Sequence, residues 1–543
     1  MQLRAPRALK SAPQWLAAAS LVLGACSLTH PFDDDCATAS DCAATQQCTQ
    51  GLCVAGPVGG SGGSGGGAGG VDASIGGAGG GGGGGGSSLD QGPTPDMATA
   101  WPPTLPAFCS QIYGQSADRA WDDNTIRVGM LMPITGDLGA VGPPIEKAAF
   151  LAVDEINQSG GLGQKKFAII ACDTGTDPVQ AVAAATWLID EAHVPAIIGP
   201  AASSAALRVF SDVALNRGTV LISPSATSPA LTDQQDENLL WRTAPSDAIQ
   251  GRAISAYLQA GDLQKVAVIN RNDTYGNGLA EAVRSALCTS RDCDDTNYFN
   301  RRYDPADLAS LLAVSGQVRE FAPDALVLVA FVADGIEIVN MADGIGVTRL
   351  LLTDGTKNPD LLTGVRNPEA LREAVGTAPA SPAGDTFAAF SSRYSSQWGE
   401  APGVFNAQAY DAMYLLGFAI GGLGDDPITG ANIALGLARL SAGDRIEAGP
   451  TSWGRGVGIL QADPNATIDY LGAAGELNFD DKGEAPGDIE GWRFNLAEGS
   501  IEALGTMFTA GGEYFPVAEP AEDMGVAEDM GVAEDMGVTD DAG

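Results

Sequence analysis

Between residue 124 and about residue 515, short apolar runs alternate with longer stretches whose apolar residues recur every three or four positions. The runs 126–132 (IRVGMLM), 167–172, 196–198 and 220–223 read as strands buried on both faces. The intervening stretches 144–158, 178–191 and 203–217 read as helices. In the first, Ile145, Ala148, Ala149, Ala152, Val153 and Ile156 share one face. Pro144 sits near its start and Gly160-Gly161 follow its end, the usual start and stop signals. A second series follows, with strands at 266–270, 299–303, 325–330 and 350–353 and helices at 278–287 and 306–320. Two such alternations predict an α/β chain of two doubly wound, parallel-sheet lobes. In sheets of this kind ligands bind beyond the carboxyl ends of the strands, so functional residues are expected just after each apolar run.

The flanks have a different pattern. Arg4, Arg7 and Lys10 precede a short apolar run, 15–25 (WLAAASLVLGA), far below the ~20 residues a membrane-spanning helix needs. Residues 1–25 read as an export signal. The end of the run, Leu23-Gly24-Ala25-Cys26, resembles the bacterial lipobox, which implies cleavage before Cys26 and lipid attachment to its thiol. Several acyl chains, at about 0.8 kcal/mol per buried methylene, hold a protein stably to a membrane. Ser27 in place of Asp is similar to lipoproteins of the outer membrane. Residues 55–103 are Gly/Ser-rich and then Pro-rich, with 19 Gly among the 28 residues 59–86. So few apolar groups cannot offset chain entropy, and a disordered linker is expected. At 521–538 the hexapeptide AEDMGV occurs three times, matching no heptad or solenoid period; residues 516–543 read as an acidic, solvated tail.

Cysteine usage agrees with export. Apart from Cys26 there are eight: Cys36, Cys42, Cys48, Cys53, Cys109, Cys172, Cys288 and Cys293. An even number in an exported chain suggests disulfides. The first four crowd into residues 26–54, which have almost no apolar core, so a two-disulfide module is expected there, its connectivity open. Their spacing contains no C-x-x-C pair, which argues against zinc. Cys288 and Cys293 are expected to close a short loop, and Cys109 and Cys172 pair by elimination.

The formal charge of −38 excludes general nucleic-acid binding. Enzyme chemistry finds little support. Of the two His, only His193 lies in the folded region, so a Ser–His–Asp triad has no obvious base. The segment 160–166 (GGLGQKK) lacks P-loop spacing, 136–142 (GDLGAVG) is not G-x-G-x-x-G, and 478–484 (NFDDKGE) lacks the ligand spacing of an EF-hand loop and reads as a hairpin turn. No cofactor or metal is expected.

The strand-end segments carry a resemblance. In order they are 129–136 (GMLMPITG), 148–161 (AAFLAVDEINQSGG), 173–182 (DTGTDPVQAV), 197–204 (IIGPAASS), 222–232 (ISPSATSPALT), 273–278 (DTYGNG), 353–355 (TDG), 409–412 (AYDA) and 475–483 (GELNFDDKG). This set resembles the leucine-binding-protein family, the type I periplasmic solute-binding proteins of ABC transporters, over about 390 residues. The resemblance implies two lobes in residues 104–515, joined by three hinge crossings and closing on a ligand. Lobe 1 is expected at about 124–243 and 384–447, and lobe 2 at about 246–380 and 457–515. The crossings then fall near 241–245, 378–383 and 448–456.

A free amino acid is a zwitterion, so burying it requires donors for its carboxylate and an acceptor for its ammonium. The resemblance implies that Ser203 and Thr227, with backbone N–H groups at a helix start, receive the carboxylate. It places the carbonyl of Ser225 and the side chain of Asp354 at the ammonium. Tyr275 and Phe405 are the retained aromatic candidates for the side-chain pocket. Phe331 stands where the family has Tyr, and Val141 where it often has an aromatic residue. The implied function is a lipid-anchored clamp, exported to a bacterial membrane and facing the periplasm or the surface. It binds an amino acid or related solute for import through a separate ABC permease. The alternative is a surface sensor or receptor built on the same clamp, suggested by the Cys-rich module, linker and acidic tail.

Overall fold

The computed structural model describes residues 46–49, 52–55, 103–342 and 349–517. The expected export signal, the expected lipid site Cys26, Cys36, Cys42 and the AEDMGV tail lie outside the described residues, as does almost all of the Gly-rich linker. Gln46–Thr49 and Leu52–Ala55 pair as antiparallel strands, with Cys48 opposite Cys53 in the register.

In the folded region Thr125–Met132 runs parallel to Lys166–Asp173 on one side and to Ala196–Ile198 on the other. Val220–Ser223 and Leu240–Arg242 continue the sheet in parallel. These strands are nearly wholly apolar because helices cover both faces. An edge strand that the hydrophobic pattern does not reveal, Cys109–Tyr113, adds antiparallel to Lys166–Asp173. It is tethered by the Cys109–Cys172 disulfide between registered partners.

The second sheet has the order Tyr298–Tyr303, Val266–Arg271, Ala325–Val329, Leu350–Leu352, Val375–Pro379, all parallel. Ile489–Asn495 and Ser500–Phe508 then extend it antiparallel. Its helices begin where side chains cap the first free N–H groups. Ser246 accepts from Ala248, Asp273 from Gly276 and Asp307 from Ala309. The Cys288–Cys293 disulfide closes the loop after the helix Thr274–Ser290. That helix starts four residues earlier than the periodicity predicts, because Gly276, Asn277 and Gly278 hide its first turn.

The chain passes between the two sheets at 243–246, 380–384 and 478–488. The third passage corrects the expectation of a crossing at 448–456 and of lobe 2 beginning again at 457. The helix Pro450–Ala462 instead packs on the first lobe. Its Trp453 lies 4.9 Å from the Phe418 ring and donates to the carbonyl of Gly161 at 2.9 Å. Ile468–Gly472 pairs with Asp444–Glu447 in a small sheet on the same lobe. Buried Asp411 holds the turn that follows, accepting from Tyr470 Oη and from the N–H groups of Ala473 and Ala474. The segment 478–484 forms a turn, as expected. The Gly483 carbonyl accepts from the N–H of Arg242, which ties the third passage to the first. No helix among the described residues is long and apolar enough to cross a membrane.

Candidate functional site

The carboxyl ends of both sheets face one cavity, with about 440 Å³ of empty space including its mouth. From the first lobe it is lined by Pro133, Leu138, Val141 and Ile145 after the first strand, by Ala201–Ser203 after the third, by Ser225 after the fourth and by Phe405. The second lobe contributes Tyr275, Phe331, Asp354 and Gly355. Ser203, Ser225, Tyr275, Phe331, Asp354, Phe405 and Val141, singled out from sequence, thus meet at one cavity.

Most of the wall is hydrocarbon, with polar groups contributed by both lobes. Asp354 is buried beyond the strand Leu350–Leu352. Its Oδ1 accepts from Gln250 Nε2 at 2.9 Å and from Tyr275 Oη at 2.8 Å. Burial raises its pKa above the usual carboxyl range, against the pull of the Tyr275 and Gln250 hydrogen bonds. Asp247 is buried with it. Its pKa rises well above the ordinary value, first through burial and then through the neighbouring Asp354 charge. Tyr275 rises too, for the same two reasons. Its ring stacks on Phe331 at 5.5 Å, so the phenol that braces Asp354 also forms part of the cavity wall.

Ser203, on the wall contributed by the first lobe, is the first residue of a helix that continues through a π-turn to Arg217. Its Oγ accepts from the N–H of Ser228 at 3.3 Å, which leaves the hydroxyl proton available. Ser225 donates from Oγ to the Ala201 carbonyl at 3.2 Å, joining two strand-end loops. Thr227 is the exception among the candidates. It is buried, and its hydroxyl is given to Asp247 Oδ2 at 2.9 Å, which corrects the expectation that it faces the cavity.

The loop from Pro133 to Val141 forms the rim in the first lobe. Asp173 holds it, accepting from the N–H groups of Ile134 and Thr135 and from Thr135 Oγ1. Asp173 is partly buried, which favours the neutral form. These bonds, with one from the Gly175 N–H, outweigh that and hold the carboxyl below its usual range. Gly136 sits at φ 81°, and a Cβ there would lie 2.0 Å from the Gly175 carbonyl oxygen, so only glycine lets the two loops touch. Sequence reading missed Leu138, Ile145, Gln250 and Gly355. The strand-end rule points to Leu138 and Gly355, whereas Gln250 reaches Asp354 from a helix and carries no local signal. His193 is exposed in the loop before Ala196–Ile198, away from the cavity lining.

Comparison with known proteins agrees with this geometry. The family model described as periplasmic binding protein matches residues 125–458. The Leu/Ile/Val-binding protein BraC3 of Rhizobium johnstonii is 34% identical over 163 residues, which are 30% of this chain and 44% of that protein. The chain spans about half the length of the curated relatives it matches. Among solved structures, the leucine binding protein LivK of Thermotoga maritima superposes with a TM-score of 0.59 at 21% identity, over 70% of this chain and 97% of that one. The branched-chain amino acid transporter substrate binding protein LivJ of Streptococcus pneumoniae, in complex with isoleucine, gives 0.56 at 25% identity, over 70% and 99%. With two doubly wound lobes, three passages between them and a cavity at the strand ends, the chain belongs to the periplasmic binding protein family.

Proposed function

We propose that the protein binds a free α-amino acid with an aliphatic side chain and delivers it to a separate ABC permease, without chemical turnover. The observation that carries this reading is Asp354, a buried carboxyl on the wall of a cavity that is mostly apolar. An ammonium group is the natural partner for such a carboxylate, and it relieves the cost of burying the charge. The Ser203 hydroxyl and the N–H groups at the start of its helix offer donors for the ligand carboxylate. Leu138, Val141, Ile145, Phe331 and Phe405 offer hydrocarbon to the ligand side chain. Polar side chains would lose hydration there with nothing in return. Relatives named for leucine, isoleucine and valine support the same class.

In this reading the export signal and a lipid on Cys26 hold the clamp to a bacterial membrane. The lobes close as a hinge about the three passages, by selection of the closed state.

The test is a thermal-shift and calorimetric panel on the protein. L-Leucine, L-isoleucine and L-valine are expected to raise Tm by mass action. L-Glutamate and benzoate, the one polar in its side chain and the other lacking an ammonium, are expected to leave it unchanged. A panel in which no amino acid shifts Tm overturns the ligand assignment. Co-purification of an ABC permease from membranes separates import from the sensor alternative.

A further inference from the structure

Arg271 ends the strand Val266–Arg271 of the second lobe and is only 4% exposed. Its guanidinium meets three carboxylates. Nε donates to Asp273 and Nη1 to Asp334 Oδ1 at 3.0 Å, both in the second lobe. Nη2 donates to Asp137 Oδ2 at 2.9 Å, and Asp137 stands on the cavity-rim loop of the first lobe. The guanidinium carbon also lies 3.5 Å from the centroid of the Phe331 ring, one of the cavity walls. Asp334 Oδ1 in turn accepts from the Phe331 N–H at 3.2 Å.

We infer that Arg271 and Asp137 form an interlobe latch that governs how long a ligand stays in the cleft. The asymmetry of the cluster suits a latch that must open. Asp273 and Asp334 already neutralise the guanidinium within its own lobe, so opening does not strand a buried cation. Asp137 has a side chain 49% exposed and can return to water at little cost. The third ion pair therefore adds its modest energy only in the closed state, where Arg271 also backs Phe331. Asp137 adjoins Leu138, which lines the cavity and whose N–H is fixed by Thr176 Oγ1 at 3.0 Å. Loss of the pair thus removes the tie between this rim and Arg271 of the second lobe, while the rim stays held within its own lobe. Because one partner is half-exposed, the latch weakens with salt.

The retention role rests on the ligand reading above, so the test has one arm with L-leucine and one without ligand. Asp137→Asn removes the interlobe charge and leaves Arg271 paired with Asp273 and Asp334. L-Leucine release from this variant is expected to be about 5–20-fold faster, with association within about twofold. Added salt should speed release from the native protein but not from the variant, and Asp137→Glu should restore slow release. In the ligand-free arm, amide hydrogen exchange across residues 134–141 is expected to be faster in Asp137→Asn than in the native protein. Unchanged release and unchanged salt dependence overturn the retention role. Equal exchange in both proteins overturns the latch in the empty protein, and unchanged release overturns it in the bound one. If the native protein does not bind L-leucine, the ligand reading fails, and hydrogen exchange alone decides the latch.

Discussion

Thr227 gives its hydroxyl proton to Asp247 at 2.9 Å, where both side chains are buried beside the first passage between the lobes. A hydroxyl committed to a buried carboxyl is not a donor for a ligand. The carboxylate end of the site then depends on Ser203. Ser203→Ala is expected to weaken L-leucine binding by about 10–150-fold, the worth of a hydrogen bond to a charged group, and to cost about 1 kcal/mol in stability because the buried Ser228 N–H loses its acceptor. Thr227→Val should act chiefly on stability. It leaves Asp247 short of its donor and costs about 1–3 kcal/mol in urea unfolding, while affinity changes less than in Ser203→Ala. Parallel calorimetry and unfolding of the two variants check this division.

Asp354 gives binding a defined pH dependence. In the empty cleft burial holds its pKa above the usual carboxyl range, and the buried neighbour Asp247 makes the two titrate as a pair. A ligand ammonium favours the ionised form. Binding is therefore expected to release protons at mildly acid pH and to weaken as pH falls. Calorimetry in two buffers of different ionisation enthalpy measures the released proton directly. Asp354→Asn should abolish the release and cost at least about 30-fold in affinity. Proton uptake instead of release would contradict the assignment.

The two lobes were legible because their central strands are unbroken apolar runs, and the family resemblance, carried largely by segments at the strand ends, pointed to Ser203, Ser225, Tyr275, Phe331, Asp354 and Phe405. What stayed hidden depends on contacts between distant segments. The resemblance put a crossing at 448–456, yet Gly456 lies inside the helix Pro450–Ala462, where the Phe418 ring packs 2.5 Å from a would-be Cβ. Thr227 resembles a ligand residue in its local motif, but its partner lies 20 residues on. Arg271 is unremarkable in sequence, since Asp137, Asp273 and Asp334 come from three separate segments. The edge strands Cys109–Tyr113 and Ser500–Phe508, largely exposed, lack the apolar signal of the central ones.

Glu146 should control part of the stability profile. It is buried on the helix Gly142–Gln158, and burial followed by the nearby Asp173 charge pushes its pKa up to about 7. The native state thus holds a proton that the unfolded chain releases near pH 4.5. Stability from this group is present below that value and declines as pH rises to about 7. Glu146→Gln is expected to raise stability above pH 7 by roughly 3 kcal/mol and to flatten the slope between pH 4.5 and 7. Asp411, also pushed up to about 7 by burial, leaves a residual slope of the same sign. Urea unfolding across pH measures both.

Arg242 joins the hinge to the ligand loop, and its loss should affect both. It is 1% exposed and donates to the carbonyls of Ala226 at 3.1 Å and Ser228 at 2.9 Å, and to Thr232 Oγ1 at 2.8 Å. It also pairs with Glu484 in the third passage. The guanidinium therefore fixes both ends of the loop carrying Thr227 against the chain's last crossing. Arg242→Met leaves those carbonyls and a mostly buried Glu484 without their donor, at a cost of about 3–5 kcal/mol. Glu484→Gln keeps an acceptor on Arg242 and should cost less, about 1–2 kcal/mol. If the loop geometry depends on this anchor, L-leucine affinity falls in Arg242→Met even at temperatures where the variant is fully folded, whereas Glu484→Gln binds within about threefold of the native protein. A well-folded Arg242→Met that binds normally would place the rigidity of the loop in its own turn residues, with the hinge anchor contributing stability alone.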